Sequence, residues 1–165
     1  LAGLVILNTP MAPWRGGRLA LMRLTYFLFW LFGPRSFVAP MVAGTMIASA
    51  APDRSALVRV IVDALGRCDR RGLLLAARSA MFGRGDVVPL LSNVRVPTLF
   101  FTGAEDGLFP VAEARSQAAL IRGCRLVVVE KSSHQSALEA PDQVLPVLRG
   151  ELGRWLRADV SVAVP

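Results

Sequence analysis

Three stretches of the chain are apolar without a polar break: LVIL at 4–7, TLFF at 98–101 and LVVV at 126–129. A half-exposed strand alternates polar and apolar positions, whereas a parallel strand covered by helices on both faces is apolar throughout. Between the second and third runs, VAEARSQAALI at 111–121 repeats Ala114, Ala118 and Ile121 at helical spacing. Strand, helix and strand in that order predict a right-handed crossover within one parallel sheet. A last helix is expected from Pro141, a residue suited to the first helical turn, through Val144, Leu145, Leu148, Leu152 and Trp155.

Residues 8–97 contain no convincing strand. Pieces at 18–32, 36–50, 54–66 and 69–82 have helical composition, broken at Gly33-Pro34, at Pro52-Asp53 and at a turn from Gly83 to Gly85. Crossovers in such sheets ordinarily use one helix, so this region reads as a helical cap inserted over the sheet edge. The expected fold is therefore α/β: a parallel sheet flanked by helices, with residues 1–10 and 94–158 as the core, 11–93 as the cap and 159–165 as a tail. Three strands, the first starting at residue 4, are short of neighbours for a sheet of this kind. Further strands are expected upstream of Leu1, and the chain by itself is expected to be poorly soluble or partly molten.

Composition narrows the classes. With 53% hydrophobic residues in 165, the chain can bury the core of one domain. Net charge is +7, but of the 19 basic residues all except Lys131 are arginines scattered from Arg15 to Arg157. A nucleic-acid footprint would be a clustered patch, so no nucleic-acid partner is expected. The most apolar window, LALMRLTYFLFWLF at 19–32, contains Arg23 and ends at Gly33-Pro34. A bilayer span takes about 20 apolar residues, so the window reads as a buried or lid helix. Its interfacial character leaves contact with a membrane surface open. Cys68 and Cys124 have neither metal spacing nor a disulfide pattern. A reducing, cytoplasmic location is the default reading, with no secretory leader in view.

Candidate chemistry converges on two loops. TLFFTGAEDGLFP sets Asp106 in a turn just past the end of one strand, and LVVVEKSSHQ sets His134, the single histidine, five residues past the end of the next. In open parallel sheets the functional crevice lies beyond the carboxyl ends of the strands, so both loops should reach the same rim. There an acid can orient the imidazole and the imidazole can take a proton from a nucleophile. Glu105, Glu130 and Glu139 are competing acids, with Glu105 expected to point away from its neighbour Asp106. The plainer reading is a turn-forming aspartate and a loop histidine tied to backbone. Trp14, Tyr26, Phe27, Phe29 and Trp30 either line an apolar pocket or pack the cap, packing being favoured for most.

VPTLFFTGAEDGLFP followed by CRLVVVEKSSHQSALEAPDQVLPVL resembles the carboxy-terminal third of the α/β-hydrolase fold family. The likeness lies in the strand, Gly, Asp and Pro, then the strand, small-residue loop, His and Glu-x-Pro helix start, with 28 residues from Asp106 to His134. It covers residues 94–157, while LAGLVILNTP is similar to the strand that follows the nucleophile helix. The resemblance implies that Asp106 is the acid and His134 the base of a nucleophile, acid and histidine triad acting on a small, largely apolar ester or lactone. No metal or organic cofactor is implied.

One part of the pattern is missing. No Gly-x-Ser-x-Gly occurs, and serines 36, 49, 55, 79, 92, 116, 132, 133 and 136 lack the strand, turn and helix context of a nucleophile elbow, as do both cysteines. The nucleophile is expected upstream of Leu1, and the chain alone is expected to be inactive. The alternative is a non-catalytic product or interaction module that keeps only the acid and base of a lost triad.

Overall fold

A computed structural model describes residues 1–83 and 85–162, with side chains described through Arg157. Arg84, within the expected turn, and residues 163–165 of the expected tail lie outside the described residues. The three apolar runs form β1 (Leu4–Leu7), β2 (Thr98–Gly103) and β3 (Arg125–Val129), a parallel sheet in the order β1-β2-β3. Leu4 pairs with Thr98 and Leu99 with Arg125, so β2 is the central strand. All its residues are buried, which is why its sequence shows no alternation.

Between β1 and β2 lie α1 (Gly16–Phe32), α2 (Val38–Met46), α3 (Arg54–Arg67) and α4 (Arg70–Arg78), then a π-helical turn at Ser79–Gly83 and a 3-10 turn at Val88–Asn93. The crossover from β2 to β3 runs through α5 (Val111–Ala118), and the chain closes with a one-turn helix α6 (Ser136–Glu139) and α7 (Pro141–Val162). The four helical pieces expected between the first two strands are thus all present, the second and fourth shorter than their composition suggested. Residues 159–162, expected as tail, continue α7.

Side-chain alternation along the strands divides two apolar layers. Ile6 and Phe100 pack toward Phe109 and the α5 residues Ala114 and Ala118, joined by Ile121. On the opposite face Leu99, Phe101 and Val129 pack against Ala140 and Val144, with Val5, Leu148 and Trp155 around them. Trp155 also explains Gly3: a Cβ there would stand 2.2 Å from the indole, so glycine admits α7 against the entry to β1. The stripe expected along α7 is corrected in part, since Leu145 and Leu152 are each 39% exposed while Glu151 is buried. Glu151 is held by Arg125 at 2.6 Å and Arg154 at 2.5 Å, so an ion pair takes the place of an apolar contact there.

The inserted helices form their own small core from Ile47, Ala48 and Ala51 with Leu57, Val58 and Ile61. Among the described residues no helix is long and apolar enough to cross a membrane. Helix α1, which holds the 19–32 window, leaves Leu24, Phe27, Trp30 and Leu31 half-exposed.

Candidate active site

The site begins with the end of β2. Gly103 closes that strand, and a Cβ at this position would stand 2.1 Å from the carbonyl oxygen of Ser133 and 2.4 Å from that of Ser132. Glycine is what lets the loop after β3 lie across the strand end. Beyond Gly103 the chain turns tightly: Asp106 N donates to Gly103 O at 3.2 Å, and Ala104 N and Glu105 N donate across to Val129 O and Ser132 O. Lys131, with φ of 52°, turns the chain out of β3, and buried Ser132 and Ser133 carry it over Gly103 to His134.

Asp106 and His134 meet there. The Nδ1 of His134 lies 2.9 Å from Oδ2 of Asp106. Asp106 is 4% exposed, and a carboxylate so buried requires donors on both oxygens. Oδ1 accepts from the backbone N–H groups of Leu108 and Phe109 at 2.9 and 2.8 Å, and Oδ2 accepts from Asn8 Nδ2 at 3.2 Å as well as facing the imidazole. An ionised carboxylate only accepts, so Nδ1 of the neutral ring carries the proton and Nε2 keeps a lone pair.

The competing acids have other partners. Glu105 is exposed where Asp106 is buried, and it accepts from Ser49 N at 3.1 Å and Ser49 Oγ at 2.9 Å. Glu139 is buried and accepts from Ser133 N and Gln135 N at 3.0 Å each and from Ala48 N at 2.6 Å. Glu130 is exposed, its backbone N–H bonded to Gln143. With His134 N donating to Met46 O at 3.1 Å, these bonds fasten the end of α2 and the residues after it to the histidine loop.

One residue absent from the sequence-based expectations, Asn8, completes the arrangement. Asn8 follows β1 with φ of 45°, a left-handed conformation that asparagine tolerates better than most residues. Its Nδ2 donates to Asp106 and, at 3.0 Å, to Ser133 O. Its Oδ1 accepts from Ser136 Oγ. A polar residue directly at the end of an apolar strand was the available signal. The serines of the histidine loop are scaffold: Ser132 Oγ donates to Ser133 O and Ser133 Oγ to Glu105 O.

His134 opens onto a cavity of about 370 Å³ between the strand ends and the inserted helices. Its walls include Trp14, Met22, Met41, Val42, Met46 and Met81, and His134 is the one titratable residue among those lining it. A second cavity of about 210 Å³ lies among α1, α2, α3 and α4 and includes Tyr26, Phe29, Ile61 and Leu73. Trp14 borders the first cavity and Tyr26 and Phe29 the second, while Tyr26 also packs edge-on against Phe82, ring centroids 5.6 Å apart. Phe27 and Trp30 stack on each other, ring centroids 5.8 Å apart, on the half-exposed side of α1. Among the described residues no cluster of His, Cys, Asp and Glu is arranged to hold a metal ion.

No protein-family model matches the chain. It is similar to a pimeloyl acyl-carrier-protein methyl ester esterase of Neisseria meningitidis serogroup B, with 32% identity over 106 residues, 64% of this chain and 41% of that protein. Among solved structures it is similar to an esterase from Thermogutta terrifontis, with TM-score 0.82 and 23% identity over 94% of this chain and 57% of that one. An enol-lactonase from Burkholderia xenovorans superposes with TM-score 0.75 and 19% identity, again over 94% of this chain and 56% of that one. The chain spans between 26% and 41% of the length of these curated relatives. Its parallel sheet with flanking helices is a part of the α/β-hydrolase fold.

Proposed function

We propose that the chain carries the acid and base of an α/β-hydrolase active site, and that the protein hydrolyses a carboxylic ester or lactone with a largely apolar acyl part. The observation that carries this reading is the His134 Nδ1 to Asp106 Oδ2 contact of 2.9 Å at the wall of an apolar cavity. The similarity to esterases and a lactonase supports it.

In this reading Nε2 of His134 accepts the proton of a nucleophile as that group attacks the substrate carbonyl carbon. The imidazolium is stabilised by Asp106, whose remaining donors hold its charge in place. The proton then passes to the leaving alcohol, the carbon–oxygen bond breaks, and an acyl-enzyme remains. Water attacks the acyl carbon, giving its proton to the same imidazole, and releases the acid with the nucleophile restored. Asp106 stays ionised throughout. The serines nearest His134 are tied into its scaffold, so in this reading the nucleophile is supplied by a segment preceding Leu1. The helices α1–α4 act as the cap that closes the substrate against the strand ends.

The test uses the protein expressed with the coding sequence that precedes Leu1. It should turn over a short-chain nitrophenyl ester, and His134→Ala should lower kcat/KM by about a thousandfold or more. Turnover unchanged in His134→Ala removes the histidine from the mechanism, and an upstream stop codon or the lack of a nucleophile elbow there favours a non-catalytic product.

A further inference from the structure

The cavity at His134 and the cavity inside the helical layer share four wall residues: Thr25, Val42, Met46 and Met81. Two spaces that share walls on three sides, α1, α2 and the turn after α4, adjoin, and these four side chains are the waist where they meet. Two of the four waist residues are methionines, unbranched side chains that change rotamer readily and adapt to what passes between them. Past the waist the described wall residues are apolar apart from Tyr26, with Leu65, Leu74 and Ala77 among them and none of them charged. Its volume of about 210 Å³ leaves room for several methylene groups, a water-sized group taking about 30 Å³.

We propose that this pair of chambers binds a straight, methyl-terminated acyl chain end-on, the chain passing the Met46–Met81 waist so that its far end lies between α1, α3 and α4. Which end stands at His134 rests on the hydrolase reading above: the carbonyl occupies the outer chamber and the methyl terminus the inner one. The same walls select against an acyl chain that ends in a second carboxylate. An ion placed among Phe29, Leu65, Leu73 and Ala77 would lose its hydration with no cation to replace it, so a dicarboxylic half-ester is a poor ligand of this site.

Binding needs no nucleophile, so it is measured by isothermal titration of wild-type protein with octanoate, butanoate and suberate, the eight-carbon dicarboxylate. Octanoate should bind at least tenfold more tightly than either. Ala77→Phe, which fills the inner chamber from α4, should weaken octanoate by about tenfold and leave butanoate unchanged, with far-ultraviolet circular dichroism confirming the fold. Equal affinities for octanoate and suberate overturn the proposal without any variant, and so does a folded Ala77→Phe protein that binds octanoate as well as wild type. Octanoate bound as stated with no ester turnover would leave the chambers standing and the hydrolase reading fallen. Ester turnover without discrimination between octanoate and suberate would do the reverse.

Discussion

Asn8 Nδ2 donates to the same carboxylate oxygen of Asp106 that faces His134, at 3.2 Å against 2.9 Å for the imidazole. One buried side chain on β1's end thus braces the acid on β2's end and, through Ser133 O and Ser136 Oγ, the loop after β3. Asn8→Ala removes both functions and leaves buried polar groups unmatched, which costs about 1–3 kcal/mol each in typical cases. The expected outcome is a lower unfolding midpoint by several degrees, checked by thermal denaturation. Asn8→Asp should be worse, because it sets a second carboxylate against Asp106.

Gly103 is the steric condition for the site. A methyl group there meets two backbone carbonyl oxygens at 2.1 and 2.4 Å, neither of which belongs to a flexible side-chain end. Gly103→Ala should therefore push the histidine loop off β2 and destabilise the protein by about 3 kcal/mol or more. A denaturant midpoint equal to wild type would show that the loop does not pass where the structure has it.

Much of this was legible in the sequence because it is local. The three apolar runs are strands, β2 two residues longer than expected; the helix after Asp106 starts at Val111 as expected but ends at Ala118, three residues short, and the last helix starts at Pro141. The placement of Asp106 and His134 past two adjacent strand ends required only the rule for parallel sheets. Asn8 and Glu139 escaped because what they do is set by chain segments far away in sequence: Asn8 bonds Asp106 across 98 residues, and Glu139 bonds Ala48 across 91. No local pattern carries that. The ion pairs of Glu151 on α7 were missed for a different reason: Leu145, Leu148, Leu152 and Trp155 suggested a broader apolar stripe than the sheet covers.

Glu139 fastens the helical insertion to the histidine loop, accepting from Ser133 N, Gln135 N and Ala48 N. Glu139→Ala leaves three backbone donors without that partner, so amide hydrogen exchange should quicken at Ala48, Ser133 and Gln135 together. Stability should fall by about 3–5 kcal/mol if all three stay buried, and by less where water reaches them. Exchange that quickens at Ser133 and Gln135 alone would show that Glu139 does not hold the insertion.

The two thiols differ in exposure, and their reactivity should follow. Cys68 is exposed, whereas Cys124 packs against the Phe100 core and burial pushes its thiol pKa up. Thiolate is the attacking form, so iodoacetamide at mildly alkaline pH should label Cys68 first and Cys124 only slowly, as read by intact mass and peptide mapping. Comparable labelling of both would contradict the packing around β3.

The central claim is that Asp106 fixes His134 with its proton on Nδ1 and its lone pair on Nε2. Because His134 is the only histidine, a long-range nitrogen–proton correlation spectrum of the imidazole reads it without assignment. In the neutral ring the account predicts a protonated, pyrrole-type Nδ1 and an unprotonated, pyridine-type Nε2, with that preference lost in Asp106→Ala. A proton on Nε2 in the wild-type protein, or a spectrum that Asp106→Ala leaves unchanged, would contradict it.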